Sequence, residues 1–407
     1  MDGSTSSRPD TTATLLLCGH FADSRDGVKP LSPSEYHDLA RWLEQRRIAF
    51  GDLLKNDGKS VLKSYAGSSV MLDRLGALLR RTSEFIAAHE RWSRLGIWVV
   101  SQFDQDYPSR LRKRLGFSAL PLLFGAGPRA LLDGGGVCVV GSRDSSPRGL
   151  EFAHIIGARC GREMMTVISS DMRGPDRVVV DATLANNGRV ICVLSDSLEK
   201  TLVAKRYREA LAAGKMALAT PFSPEARFKV ANAIRANKYQ YALSDVAVIV
   251  ETRQKGGIWL GADENRNEGW VPAFVRTDEV MPSGNLALLH LGLFPITRQD
   301  VEQSMNMRDF FINHALSAHR NSGTPRPVPA RSAGADPRPT QSTELPAFDL
   351  YAVFLAELKR IAATAPRSEN EIARHFGVER DQVRNWLKRA MVEGTVRAAA
   401  NGDYQAC

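Results

Sequence analysis

Val137-Cys138-Val139-Val140 runs directly into Gly141-Ser142-Arg143-Asp144-Ser145-Ser146-Pro147-Arg148-Gly149. The short apolar run predicts a buried strand, and a helical stretch over Leu150–Arg162 follows it. The loop between them has the chemistry of an anion site. Glycine lets the backbone approach closely, hydroxyls and amides donate, a helix N-terminus adds partial positive charge, and Arg143 can fork onto a phosphate. The run is not GxGxxG, so dinucleotide binding is not indicated.

Downstream the same alternation repeats. Thr166–Ser169, Val190–Leu194, Met216–Thr220, Val246–Val250 and Val271–Val275 are expected strands. Between them Arg177–Asn186, Leu198–Ala213, Pro224–Leu243 and Ile258–Asn267 are expected helices. Alternation of this kind means βαβ units, hence an α/β domain with a parallel sheet and helices on both faces. Such sheets bind ligands beyond the C-terminal ends of their strands. Two further strand ends repeat the anion-site chemistry. Ser169-Ser170-Asp171-Met172-Arg173-Gly174-Pro175-Asp176 follows the second strand, and Glu251-Thr252-Arg253-Gln254-Lys255-Gly256-Gly257 follows Val246–Val250. Asn237-Lys238-Tyr239-Gln240-Tyr241 closes the helix before that last strand. Together these segments predict one polyanion-binding surface along a single sheet edge.

The runs VCVVGSRDSSPRG, SSDMRGPDRVVVDATL, GRVICVLSDSLEK and NKYQYALSDVAVIVET resemble, in order and spacing, the DNA-processing protein A (DprA, Smf) family. Its patterns are roughly VGSRxxSxYG, SGLARGIDxxAHxxAL, GxTIAVLGxGLD and RNRIIAGLSDxVVVVEA. Asp106-Tyr107-Pro108 and Pro121-Leu122-Leu123-Phe124-Gly125 are similar to the family's upstream DxxYPxxL and PxxLYxxG segments. The likeness spans about residues 105–295. Arg143, Arg173, Gly174, Asp176 and Asn237 match the patterns. Ser170 replaces a glycine, Pro175 an isoleucine and Val180 a histidine; Ser195 and Ser197 replace two glycines, and Ala236 and Lys238 two arginines. The chain therefore reads as a divergent branch.

The resemblance implies an extended Rossmann-like domain preceded by a helical SAM-like domain. It also implies a non-catalytic protein that binds single-stranded DNA, self-associates and works with RecA in recombination or DNA uptake. Carried over residue by residue, Ser142, Arg143, Ser146, Ser169, Arg173, Asn237 and Lys238 face phosphates, and Gly256 and Gly257 permit close backbone approach. Asp176 orients a loop. Tyr239 or Tyr241 either stacks on a base or packs in the core.

Domains are expected at 1–104 (helical), 105–316 (Rossmann-like), 317–348 (a proline-rich linker) and 349–407 (a winged helix). In the first, Ser32-Pro33-Ser34-Glu35 is a helix start with a capping box, and Tyr36, Leu39, Ala40 and Leu43 fall on one face. Leu72, Leu75, Leu78 and Leu79 make another such face. Six prolines between Ser322 and Pro346 mark the linker. In the last segment Glu369–Phe376 and Arg380–Glu393 read as helices, the second with Val383, Trp386, Leu387, Ala390 and Met391 inward. Arg380, Arg384 and Lys388 form a basic stripe on its other side, suited to duplex phosphates or a solvated face. Two short strands joined at Asn401-Gly402 close the unit.

Composition bounds the rest. The chain has 407 residues, 54 basic and 45 acidic, for a net charge of +9, with 43% hydrophobic residues. That is enough apolar material for a sizeable core and excludes a globally disordered chain. The positive excess is spread thinly, so a nucleic-acid site must be a local patch. Cys18, Cys138, Cys160, Cys192 and Cys407 include no CxxC pair, which suits a reduced, cytoplasmic protein. Neither an HExxH motif nor a Cys/His cluster is present, so no metal or cofactor is expected. Apolar runs are too short to span a bilayer, and the N-terminus lacks a secretory pattern. Two alternatives stand beside the DNA-binding reading. One is an antitoxin or regulatory component of a toxin–antitoxin or anti-phage defence locus, with a cognate toxin as partner. The other is a nucleotide hydrolase similar to the LOG enzymes, using Asp263 or Glu264 in the run Lys255–Glu264 as acid/base.

Overall fold

The computed structural model describes residues 8–21, 27–65, 68–321, 358, 367–376, 383–384, 387, 390–391, 395–398 and 403–406. The chain divides into two compact units, Met1–Thr324 and Pro325–Cys407.

A nine-stranded sheet organises the first unit. Its strands are β1 (Trp98–Ser101), β2 (Leu122–Ala126), β3 (Val137–Val140), β4 (Val167–Ser169), β5 (Val190–Val193), β6 (Met216–Thr220), β7 (Val246–Ile249), β8 (Ala273–Arg276) and β9 (Phe294–Ile296). They lie in the order β1-β2-β6-β5-β4-β3-β7-β8-β9. β3 to β9 pair in parallel, while β2 runs antiparallel to both β6 and β1. The expected parallel α/β sheet is present, and β1 and β2 extend it. β1 lies before residue 105, where the sheet-bearing stretch was expected to begin.

Both faces of the sheet are covered, which is why its strands read as continuous apolar runs. Val137 and Val139 of β3 pack with Phe152, Ile156 and Val179 on one face. Cys138 and Val140 pack with Ala236, Tyr239 and Tyr241 on the other. The helices Pro147–Arg162 and Pro175–Ala185 serve the first face, and Val230–Leu243 and Gly257–Glu268 the second.

Two expected helices differ. Leu198–Ala213 is broken into Leu198–Val203 and Lys205–Ala212, because Ala204 is extended at φ −67° and ψ 125°. The helix expected from Pro224 begins at Val230. The preceding segment is held as a loop by Glu225, whose carboxylate accepts from Trp92 Nε1 at 3.0 Å and pairs with Arg91.

Upstream, the helices Pro9–Cys18, Pro33–Gln45 and Ser69–Leu79 share a core of Leu17, Tyr36, Leu39, Leu43, Leu75 and Leu78. The capping box forms: Ser32 N–H donates to Glu35 at 2.7 Å and Glu35 N–H to Ser32 Oγ at 3.3 Å. Thr11 Oγ1 lies 2.9 Å from Ser101 Oγ and donates to Asp104 at 2.6 Å, tying the first helix to the sheet's edge.

In the second unit the helix Glu369–Phe376 and the antiparallel pair Val396–Ala398 with Tyr404–Ala406 are described. Leu358, Ile372, Val383, Leu387, Ala390 and Val396 are buried, whereas Met391, expected inside, is 39% exposed. Trp386 and the Asn401-Gly402 turn lie outside the described residues. Most of the expected linker does too; its first residues continue the helix Met307–Asn321.

Candidate nucleic-acid interface

Chain order reverses at β3. From it β4, β5 and β6 step one way, and β7, β8 and β9 step the other. Loops leaving β3 and β7 therefore diverge and open a crevice, the usual ligand position in such sheets. A buried frame holds these loops. Ser142 N–H donates to the Glu251 carbonyl at 2.8 Å. The Glu251 carboxylate, 5% exposed, accepts Ser146 N–H at 2.7 Å, also bonds the Ser146 hydroxyl, and pairs with buried Arg276. Asp176 Oδ1 accepts Gly141 N–H at 3.0 Å, and its other oxygen holds Ser170 Oγ. Burial pushes Asp176 up to about 7. Gly174 sits at φ 104°, and a Cβ there would meet the Arg143 carbonyl at 2.9 Å. A side chain at 174 would thus force the β3 and β4 loops apart.

The crevice is a cleft of about 410 Å³. Arg143, Arg173, Arg253 and Lys255 line its rim, all four exposed. None of them forms an ion pair among the described residues. The carboxylates on the cleft are exposed Asp144 and buried Asp176. One wall is apolar: Phe228, 43% exposed, stands with Val230, Ile234 and Ile258, and the Arg143 guanidinium lies 5.9 Å from the Phe228 ring. The floor is polar, with Ser170, Ser195, Asn237, Gln240 and Thr252.

Of the expected phosphate-facing residues, Ser142, Arg143, Arg173, Asn237, Gly256 and Gly257 converge on this cleft. Asn237 Nδ2 is engaged, donating to the Gly257 carbonyl at 2.7 Å. Gly256, at φ 107°, allows the turn into the helix Gly257–Glu268.

Three residues do not reach it. Ser169 is fully buried, with its hydroxyl donating to the Val139 carbonyl at 2.8 Å. Ser146 caps its helix, accepting from Gly149 N–H at 3.1 Å, and is held by Glu251. Lys238 turns its ammonium to the Ser118 carbonyl, and burial lowers its pKa below the usual value. Tyr239 and Tyr241 are each 1% exposed and belong to the core, so neither offers a face to a base.

In the second unit Arg384 is held by Glu369, with Nη2 donating at 3.1 Å and Nε at 3.3 Å. The expected stripe therefore loses one cation to an intramolecular pair. Arg380 and Lys388 lie outside the described residues.

The family model described as DNA recombination-mediator protein A matches residues 98–299, the stretch that carries the sheet and the cleft. The chain belongs to the DNA-processing protein A family. Among solved structures it is similar to DNA processing protein A from Streptococcus pneumoniae. That match has a TM-score of 0.52 at 18% identity and covers 67% of this chain and 92% of the other. It is also similar to DNA processing protein A from Helicobacter pylori, a single-stranded DNA binder, with a TM-score of 0.42 at 18% identity, covering 55% and 96%. No curated protein matches the chain.

Set against DNA-processing protein A motifs, the cleft contains residues that motif reading did not single out. Arg253 and Lys255 lie in the run quoted for its glycines. Phe228 lies in Arg227-Phe228-Lys229, where an aromatic sits between two cations; that interleaving was the available signal. Among the described residues, no group of three His, Cys, Asp or Glu side chains converges to hold a metal ion. No described helix is long and apolar enough to cross a membrane. The described cysteines are free thiols, and Cys138, Cys160 and Cys192 are buried.

Proposed function

We propose that the cleft between β3 and β7 binds single-stranded DNA, and that this binding serves DNA recombination or uptake. The carrying observation is the convergence of Arg143, Arg173, Arg253 and Lys255, free of ion pairs among the described residues, on one cleft beside the exposed ring of Phe228. Cations grip phosphates without regard to sequence, and an aromatic face stacks a base that is free of its complement. A duplex cannot present such a base, so the apolar wall favours single strands. Membership of the family supports the same reading.

The hydrolase alternative gains nothing from the geometry. Asp263 pairs with Arg266 at 2.9 Å, Glu264 sits near Lys238, and neither lines the cleft.

The test compares single-stranded and duplex oligonucleotides in an equilibrium binding assay. Wild type is expected to prefer the single strand. Arg143→Ala combined with Arg173→Ala is expected to lose about tenfold or more of single-strand affinity while remaining folded. Equal affinity for both forms of DNA, unchanged in the double variant, would refute the proposal.

A further inference from the structure

The floor of the cleft carries hydrogen-bonding groups that phosphate binding at the rim does not use. Gln240 is 1% exposed, lines the cleft, and its Oε1 has no hydrogen-bond partner among the described residues. A buried acceptor left without a partner keeps its full desolvation penalty, so such a group calls for an explanation. Ser195, 3% exposed and on the same floor, also forms no side-chain hydrogen bond among the described residues. Beside them, Ser170 is engaged with Asp176 and Asn237 with Gly257.

These groups coincide with departures from the family patterns quoted above. Residues 170 and 195 are glycine in those patterns, and position 240 is isoleucine; here they are Ser170, Ser195 and Gln240. Three changes far apart in sequence each add polar atoms to one small floor. Scattered drift has no reason to meet there.

A nucleobase fits this combination. Its edge presents adjacent donors and acceptors, which a carboxamide matches two at a time. The last torsion of glutamine is soft, so Gln240 can turn either oxygen or nitrogen toward the cleft. Phe228, Val230 and Ile234 offer an apolar wall for the base's flat face, and the rim cations stand where flanking phosphates would lie. The volume of about 410 Å³ falls in the range of roughly 300–1,000 Å³ common for small-molecule sites.

We infer that this chain reads the base of one nucleotide, seating its hydrogen-bonding edge on Gln240 and Ser195, so that its single-strand binding is base-selective. The inference rests on the strand-binding reading of the same cleft.

The experiment uses the full chain with oligo-dT, oligo-dA and oligo-dC, and with an abasic strand of equal length. The variants are Gln240→Met, which keeps length without the amide, and Ser195→Gly. One correctly placed bidentate pair discriminates by about 1–3 kcal/mol, or about 5- to 150-fold. Wild type is therefore expected to favour one homopolymer by at least about fivefold and to bind the abasic strand more weakly. Gln240→Met should flatten that preference, and Ser195→Gly should reduce it, with salt dependence retained in both. If wild type binds every strand alike, abasic included, base selection is refuted while phosphate binding stands. If both variants keep the wild-type preference, Gln240 and Ser195 are not the readers and the inference is overturned. If wild type binds no strand, the underlying reading fails with it.

Discussion

The Asp176 carboxylate accepts the Gly141 N–H at 3.0 Å, joining the first turn of the helix after β4 to the first residue beyond β3. This bond, with that to Ser170, holds the cleft loops from below. It also places a titratable group where water does not reach. Burial lifts Asp176 from an ordinary 3.8 to about 7, so the folded protein keeps a proton that the unfolded chain has released. The group's contribution to stability is then fully present below about pH 4 and lost as pH rises through about 7. Asp176→Asn keeps an acceptor for Gly141 and cannot titrate. Thermal melts from pH 4 to 8 should show wild type falling relative to Asp176→Asn as pH rises. Parallel profiles would show that Asp176 is not held protonated.

Glu251 is the second brace. Its carboxylate faces the buried guanidinium of Arg276, 3% exposed, and bonds both the amide and the hydroxyl of Ser146. Removing one member of a buried pair costs about 3–5 kcal/mol where the other charge is left alone; Arg276 keeps Asp278 at 3.0 Å, which holds the cost to the low end of about 2–3 kcal/mol. Glu251→Ala should lower the unfolding free energy by about that amount in urea denaturation and weaken DNA binding with it. A loss below about 1 kcal/mol would mean that Asp278 alone satisfies the Arg276 charge and that Glu251 is not a brace.

Phe228 is an exposed aromatic on a loop, with no core to serve on its open face. Stacking on aromatic side chains contributes about 1–3 kcal/mol per base. Phe228→Ala should weaken single-strand binding by that amount with little change in melting temperature, and Phe228→Trp should restore it. An unaffected Phe228→Ala would assign the ring to local packing against Arg143.

Much of this fold was legible from residue pattern. β3 and β6 begin and end where their apolar runs do, since a strand covered on both faces carries no polar alternation to blur its limits. β1 was not legible, because Trp98–Ser101 is a short edge strand whose partner, Leu122–Ala126, is set by the tertiary fold. The site was legible as loops rather than as side chains. Ser169 has the right chemistry at the right strand end, yet its hydroxyl points to Val139, and composition does not encode that direction. Lys238 shares a helix with Asn237, but one residue along a helix is a turn of about 100° and carries it to another face. Phe228 was hidden by the expectation that Pro224 starts a helix; the bond from Trp92 to Glu225 holds that segment as a loop instead.

The most direct test of a phosphate-gripping rim is the salt dependence of single-strand affinity. For single strands the slope of log K against log salt changes by about 0.7 for each phosphate contact. Replacing Arg143, Arg173, Arg253 and Lys255 together by alanine should make the slope shallower by about 3, while Lys238→Met should leave it at the wild-type value. A wild-type affinity that ignores salt, or a fourfold variant with the wild-type slope, would contradict the account.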